Sequence, residues 1–396
     1  MPGGWITREL GECAMVNQEP TGIVMLNLGG PRSLDEVEPF LCNLFLDREI
    51  IQLPVQERLG AFIAKRRAPK VRKLYEAIGG GSPLYDWTTR QGQGMVERLD
   101  VLCPETAPHR FYLAFRYTDP TSEQALRQMA ADGVRRAVAF AQYPQYSCTT
   151  TGSSLNELWR TARRLALAES FEWSVIDRWS AHPAFVRAMA GKVREGLARF
   201  DEAVRDDVVL LFSAHSLPRR VIDRGDPYLQ EVAATVHDVM CSIGGDREYA
   251  LSFQADVGPV AWQGPSTESV IRALGAQGRR HVLIVGIIFT TDHLDTLSEI
   301  DMEFAEVARE AGVTDFRRAP APNDDPVFLD ALAEVVTDHL HGDRGCSRQF
   351  TLRCAGCTNA QCREILNPAR PHRQPPLRRA EPGPGFGRQP ALPGSR

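Results

Sequence analysis

Three thiols crowd together near the C-terminus of this 396-residue chain: Cys354, Cys357 and Cys362, in the pattern C-x2-C-x4-C. Thiolates at that spacing suit an iron–sulfur cluster or a structural zinc, and either usually takes four donors. The fourth must come from elsewhere. Cys346 is near in sequence, whereas Cys148, in Gln145-Tyr146-Ser147-Cys148-Thr149, lies in the first half. The chain has nine cysteines in all, too few and too scattered for a disulfide scaffold, so in a reducing compartment the cluster reads as metal-binding.

A second set of groups suits proton chemistry. In Phe212-Ser213-Ala214-His215-Ser216-Leu217-Pro218 an apolar run ends on His215, whose neutral imidazole would accept a proton or bind a metal. A histidine satisfied by core hydrogen bonds is the plain alternative. Phe289-Thr290-Thr291-Asp292-His293-Leu294-Asp295-Thr296-Leu297-Ser298-Glu299 follows another apolar run, with a helix expected from about Thr291. Asp295 and Glu299, four apart, would share one helix face, with Asp292 three residues behind Asp295. Such a file of carboxylates conducts protons or hard cations. A solvated acidic first turn explains Asp292 as well, but not Glu299. Two glycine runs, Leu26-Asn27-Leu28-Gly29-Gly30-Pro31 and Gly79-Gly80-Gly81-Ser82-Pro83, lack the spacing of a dinucleotide fingerprint and the lysine of a P-loop.

These groups need elements to hold them. Runs 23–28, 111–115, 137–141, 208–212 and 281–289 read as strands, and 122–132 and 228–240 as amphipathic helices. Strands alternating with helices predict an α/β fold with parallel sheets, and in such sheets ligands bind beyond the carboxyl ends of the strands. A soft boundary falls at 165–175. The expected organisation is a flexible segment 1–20, α/β domains 21–168 and 169–345, a cysteine-bearing segment 346–366, and a disordered tail 367–396. Residues 365–396 hold eight prolines, six arginines and one glutamate, a composition that cannot bury enough apolar surface to order itself.

Composition excludes other classes. With 43% hydrophobic and 24% charged residues and a net charge of −4, the chain reads as an ordinary globular protein without the basic field of a nucleic-acid binder. No apolar run reaches the ~18 residues of a membrane span. The first twenty residues mix Arg8 with Glu9 and Glu12, unlike a signal or transit peptide, so a cytoplasmic, bacterial protein is expected, with peripheral contact to the inner membrane as an option. That contact would use Ile50, Ile51, Leu53, Leu59, Phe62 and Ile63 as an apolar lip beside Lys65, Arg66 and Arg67, unless the same helix turns its apolar face inward.

Taken together, stretches 24–31, 62–67, 78–83, 133–154, 177–179, 211–217, 257–259 and 289–301 resemble the ferrochelatase family, and the resemblance runs from Thr21 to Glu364. It is nearest to the branch bearing a [2Fe–2S] cluster. The resemblance implies two similar Rossmann-like halves with a porphyrin cleft between them, and insertion of Fe2+, as substrate, into protoporphyrin IX. It implies that His215 faces the pyrrole nitrogens as base or, with Glu299, as ligand to the substrate iron. His293, Asp295 and Glu299 would form the acidic path away from the ring. Arg116 and Tyr117 would lie on its opposite side, Leu28 and Trp262 would line the cleft, and Arg67, Tyr75 and Ser82 would contact the propionates or ring edge. Cys148, Cys354, Cys357 and Cys362 would hold the cluster, and the protein would be a homodimer. Three positions depart from the family: Asp295 where glutamate is commoner, Leu28 for a frequent methionine, and Asp256 for a basic residue. Iron insertion into coproporphyrin III and a non-catalytic porphyrin carrier are the alternatives. A carrier would have no use for both His215 and Glu299.

Overall fold

The computed structural model describes residues 19–254, 260–342, 345–347, 356–357, 359, 361–362 and 364–366; Cys354, Asp256, the first 18 residues and the stretch 367–396 lie outside them. The run Thr21–Asn27 is apolar and buried at every position, which is the signature of a strand covered on both faces. It is β1, at the centre of a parallel sheet with β2 (His109–Phe115), β3 (Arg136–Ala141) and β4 (Glu172–Ile176), in the order β2-β1-β3-β4. A second parallel sheet repeats that wiring. It holds β5 (Val209–His215), β6 (Tyr249–Gln254), β7 (His281–Gly286) and β8 (Asp315–Arg318), in the order β6-β5-β7-β8. The expected α/β architecture of two similar halves is therefore present, and it is carried by topology, not by repeated sequence.

Sequence patterning locates every inner strand and β2, but misses β4, β6 and β8. All three are sheet edges, and β8 is only half-buried throughout. An edge strand packs less apolar surface, so the hydrophobic signal fades there. The apolar run 281–289 overshoots its strand, since pairing stops at Gly286. The expected divide at 168/169 also shifts: β4 pairs with β3, so the chain leaves the first half only after Ile176. Residues 345–347 return to that first sheet, where Val175 N–H donates to the Gly345 carbonyl and Ser347 N–H to the Val175 carbonyl.

One core serves both sheets. Ile23, Met25, Val138 and Phe140 of the first and Leu210, Phe212, Leu283 and Val285 of the second belong to one buried cluster, with helices Pro183–Ala198, Tyr228–Ile243 and Pro326–His341 packed into it. Trp179 sits there against Phe140, Phe185 and Phe328, its indole N–H on the Ala141 carbonyl at 2.9 Å. A smaller cluster lies inside the helix pair Val37–Leu46 and Gln56–Ala77.

The two glycine runs explain each other. A Cβ on Gly30 would meet Ser82 Oγ at 2.7 Å, and one on Gly81 would meet the Arg32 carbonyl oxygen at 2.2 Å, so each run allows the other's approach. Gly191, inside the helix Pro183–Ala198, has nothing within 4 Å of its would-be Cβ. Gly81→Ala is therefore expected to destabilise by about 1–3 kcal/mol through overpacking against backbone. Gly191→Ala should be neutral or stabilise by up to about 1 kcal/mol. Denaturant unfolding of the two variants checks this, and equal stabilities would refute the interlock.

Candidate active site

His215 is the last residue of β5, and its register partner on β6 is Gln254. That places both at strand carboxyl ends, where parallel sheets open. The Tyr228 hydroxyl donates to the His215 carbonyl at 2.9 Å and fixes the backbone. The imidazole keeps 40% of its surface open, yet Nδ1 is buried without a hydrogen bond among the described residues, and the nearest Asp295 oxygen is 3.6 Å away. Behind it, Ser213 Oγ donates to Gln254 Oε1 at 2.8 Å and Gln254 Nε2 donates to Glu299 Oε2 at 3.0 Å. The Gln254 amide is thus oriented, and it holds Glu299 in place.

Asp295 lies between two imidazoles, with His293 Nε2 also 3.6 Å from Oδ2. His293 Nδ1 faces the Thr291 carbonyl at 2.9 Å and so carries a proton, and the ring meets Phe289 edge-on at 4.7 Å. Burial alone would raise the Asp295 carboxyl, but the His293 hydrogen bond and both histidine charges hold it at about 2. Burial likewise pulls His293 down, and is outweighed by the hydrogen bond and charge of Asp295, which raise it. His215 goes the other way: burial lowers it despite Asp295. The arrangement separates an ionised carboxylate beside a proton-holding imidazole from a neutral imidazole ready to accept.

The helix bearing these acids starts later than Thr291. Thr296 Oγ1 donates to the His293 carbonyl and accepts from His293 N–H, both at 2.9 Å, and the segment Asp295–Phe304 winds as a π-helix. Wide turns of this kind are rare and concentrate at functional sites, and periodicity does not reveal them. Asp292 leaves the acidic file: its oxygens are taken by Arg318 Nη1 and Asn323 Nδ2, each at 2.8 Å. Tyr75, only 4% exposed in the core of the helix pair, comes close enough that the Asp295 charge joins burial in raising its phenol.

The first half supplies another group of side chains at its own strand ends. Arg116 Nη2 pairs with Asp47, its Nη1 lies 3.4 Å from Glu157, and the side chain is 6% exposed. The Tyr117 hydroxyl donates to the same Asp47 at 2.7 Å. Leu28 is half-buried beside Asn27, whose Oδ1 accepts from the Tyr143 hydroxyl at 3.0 Å. Ser82 is buried at the glycine interlock, whereas Arg67 is exposed with its guanidinium over the Phe45 ring. Trp262 bridges to Pro218, three residues after His215. Asp47, Glu157 and Gln254 are additions that no sequence motif marks, because each acts by pairing across the fold.

Cys148 opens a π-helical turn, Cys148–Gly152. Its N–H donates to Asp226 Oδ2 at 2.8 Å, and Gly356 N–H donates to the Arg224 carbonyl at 2.8 Å. The loop 224–226 therefore holds both Cys148 and the residue before Cys357. Downstream of Cys362, Ile365 is buried against Leu155 and Leu158, and Glu364 meets Arg163 at 3.0 Å. Cys346 sits instead at the sheet edge beside Val175. Among the described residues no helix is long and apolar enough to cross a membrane.

A family model described as ferrochelatase matches residues 20–340. The mitochondrial ferrochelatase of Bos taurus is 50% identical over 350 residues, covering 88% of this chain and 84% of that protein. The Homo sapiens protein is 49% identical over 345 residues, covering 87% and 82%. The Drosophila melanogaster protein is 47% identical over 349 residues, covering 88% and 91%. The expected bacterial, cytoplasmic placement is overturned by these relatives, all of them mitochondrial.

Because Asp295 raises His293 and also opposes the lowering of His215, Asp295→Asn should lower the pKa of both imidazoles. In the parent, His293 is expected to titrate above the ~6.5 of free histidine and His215 below it. Proton NMR of the imidazole signals against pH measures this, and unchanged titrations in the variant would contradict the triad.

Proposed function

The chain belongs to the ferrochelatase family, and on that premise we propose how its residues divide the work of inserting Fe2+ into protoporphyrin IX to make protohaem. Two pyrrole protons must leave while the metal enters. His215, neutral and open to the cleft, accepts a proton from a pyrrole nitrogen. Asp295, already ionised, stabilises the imidazolium that forms, and Glu299, held by Gln254, continues the path toward solvent. His215 and Glu299 also serve as passing ligands to the substrate iron. Ferrous iron ranks low in intrinsic affinity for such donors, so geometry and supply set selectivity. Arg116 and Tyr117, tied to Asp47, form the opposite wall, where the metal enters. Leu28 and Trp262 line the cleft, while Arg67, Tyr75 and Ser82 bound the ring edge. The observation that carries this reading is a single carboxylate, Asp295, set 3.6 Å from both His215 Nδ1 and His293 Nε2 beyond the strand ends of the second sheet.

Cys148, Cys354, Cys357 and Cys362 would hold a [2Fe–2S] cluster, which when bound supplies a covalent cross-link and a one-electron centre. Common anchoring of Cys148 and Gly356 to the loop 224–226 supports this set over one using Cys346. A homodimer follows from the family resemblance. Peripheral membrane contact is supported by Leu46, Val55 and Phe62, exposed at 40%, 70% and 62%, near Lys65 and Arg66. Of the six residues expected in an apolar lip, Ile51 and Ile63 pack inward. Val55 replaces them as the prominent apolar group. The mitochondrial relatives carry their compartment to this reading.

His215→Ala should abolish iron insertion while protoporphyrin binding, followed by fluorescence quenching, stays within about threefold, since a general base acts in the chemical step. Turnover like that of the parent would remove His215 from the mechanism.

Cys148→Ser should lose the visible absorption and inorganic sulfide of a cluster, and Cys346→Ser should retain both. The reverse pattern would exchange the two assignments.

A further inference from the structure

Away from the cleft, two helices end side by side. Leu84–Leu102 is closed by Cys103, whose N–H donates to the Leu99 carbonyl at 2.8 Å, and Pro326–His341 ends on His341. Helix C-termini carry partial negative charge and favour a cation within the last turn. Between them the short turn Pro104–Thr106 presents Glu105, and the Thr106 hydroxyl donates back to the Cys103 carbonyl at 3.2 Å, which fixes the turn. Cys103 Sγ, Glu105 carboxylate oxygen and a His341 ring nitrogen all lie within 4.8 Å of one another. They are the single such group of three ligand types among the described residues, and none takes part in the chemistry assigned to the cleft.

We propose that Cys103, Glu105 and His341 form a peripheral site for a divalent transition-metal ion of the zinc and ferrous class. One thiolate, one imidazole and one carboxylate are the donors such ions take, and three protein ligands leave a fourth position for water. Cys103 is buried and faces Thr337 Oγ1 at 3.4 Å, while Glu105 and His341 are each more than half exposed and close the outer side. The 2.9 Å contact of His341 Nε2 with Glu105 Oε1 brings the outer donors together before any ion arrives. The site depends on neither the cluster nor the reaction.

The test titrates Co2+ into the full chain, as purified, under anaerobic conditions, beside His341→Ala, Glu105→Gln and Cys103→Ser. The other thiols are common to all four proteins, so only differences count. The parent should bind one more Co2+ than His341→Ala, with a near-ultraviolet thiolate-to-cobalt band that Cys103→Ser lacks. Glu105→Gln should raise the Kd about tenfold or more. All variants should keep the parent's rate of iron insertion. Equal stoichiometry in the parent and His341→Ala would overturn the site, as would a thiolate band of equal intensity in the parent and Cys103→Ser. If Cys103→Ser does not fold, the exposed His341→Ala and Glu105→Gln decide alone.

Discussion

A carboxylate within 3.6 Å of two imidazoles cannot leave all three groups at their ordinary protonation. Asp295 stays ionised, and His293 is the ring that keeps the proton, because its Nδ1 already points at the Thr291 carbonyl. His215 has no such partner for Nδ1 among the described residues, and burial favours its neutral form. Everything around the site serves that asymmetry. The carboxyl end of β5 delivers one histidine and the loop after β7 the other, while the π-helical start at Asp295 sets the acid between them. Tyr75, buried in the helix pair of the first half, lies near enough to feel the Asp295 charge.

Much of this was legible in sequence where a single local rule applies. Inner strands announce themselves as unbroken apolar runs because both faces are buried, and His215 follows from the end of one of them. Spacing put Asp295 and Glu299 on one helix face, and the Gln254 amide reaches both, Nε2 lying 3.4 Å from the Asp295 carbonyl and 3.0 Å from Glu299 Oε2. Edge strands β4, β6 and β8 did not announce themselves, nor did the π-helical turn, whose hydrogen-bond shift leaves no periodic trace. Long-range pairing was the other blind spot. Nothing near Asp47 in sequence points to Arg116, nothing near Gln254 points to Glu299, and Asp292 looked like a third member of the acidic file until Arg318 and Asn323 claimed it.

The thiols show the same limit from another side. Sequence distance favoured Cys346, yet that residue extends a sheet edge, while Cys148 shares a loop with the C-terminal segment. The loop also faces inward. Asp226 accepts from Cys148 N–H through one oxygen and from Tyr228 N–H through the other, and Tyr228 grips the His215 carbonyl. Three hydrogen bonds therefore run from the cysteine turn to the backbone of the histidine at the cleft. This is a mechanical connection between two places that the chain separates widely.

The shared core has its own consequence. Two sheets with the same strand order look like exchangeable modules, but their inner faces and the helices between them are one continuous apolar body with Trp179 at the join. Separating the halves would uncover Phe140 and Phe328 alike, at up to about 1.5–3 kcal/mol for each side chain fully exposed. Melting of one half would expose apolar surface on the other, so the stabilities of the two halves are coupled through this core.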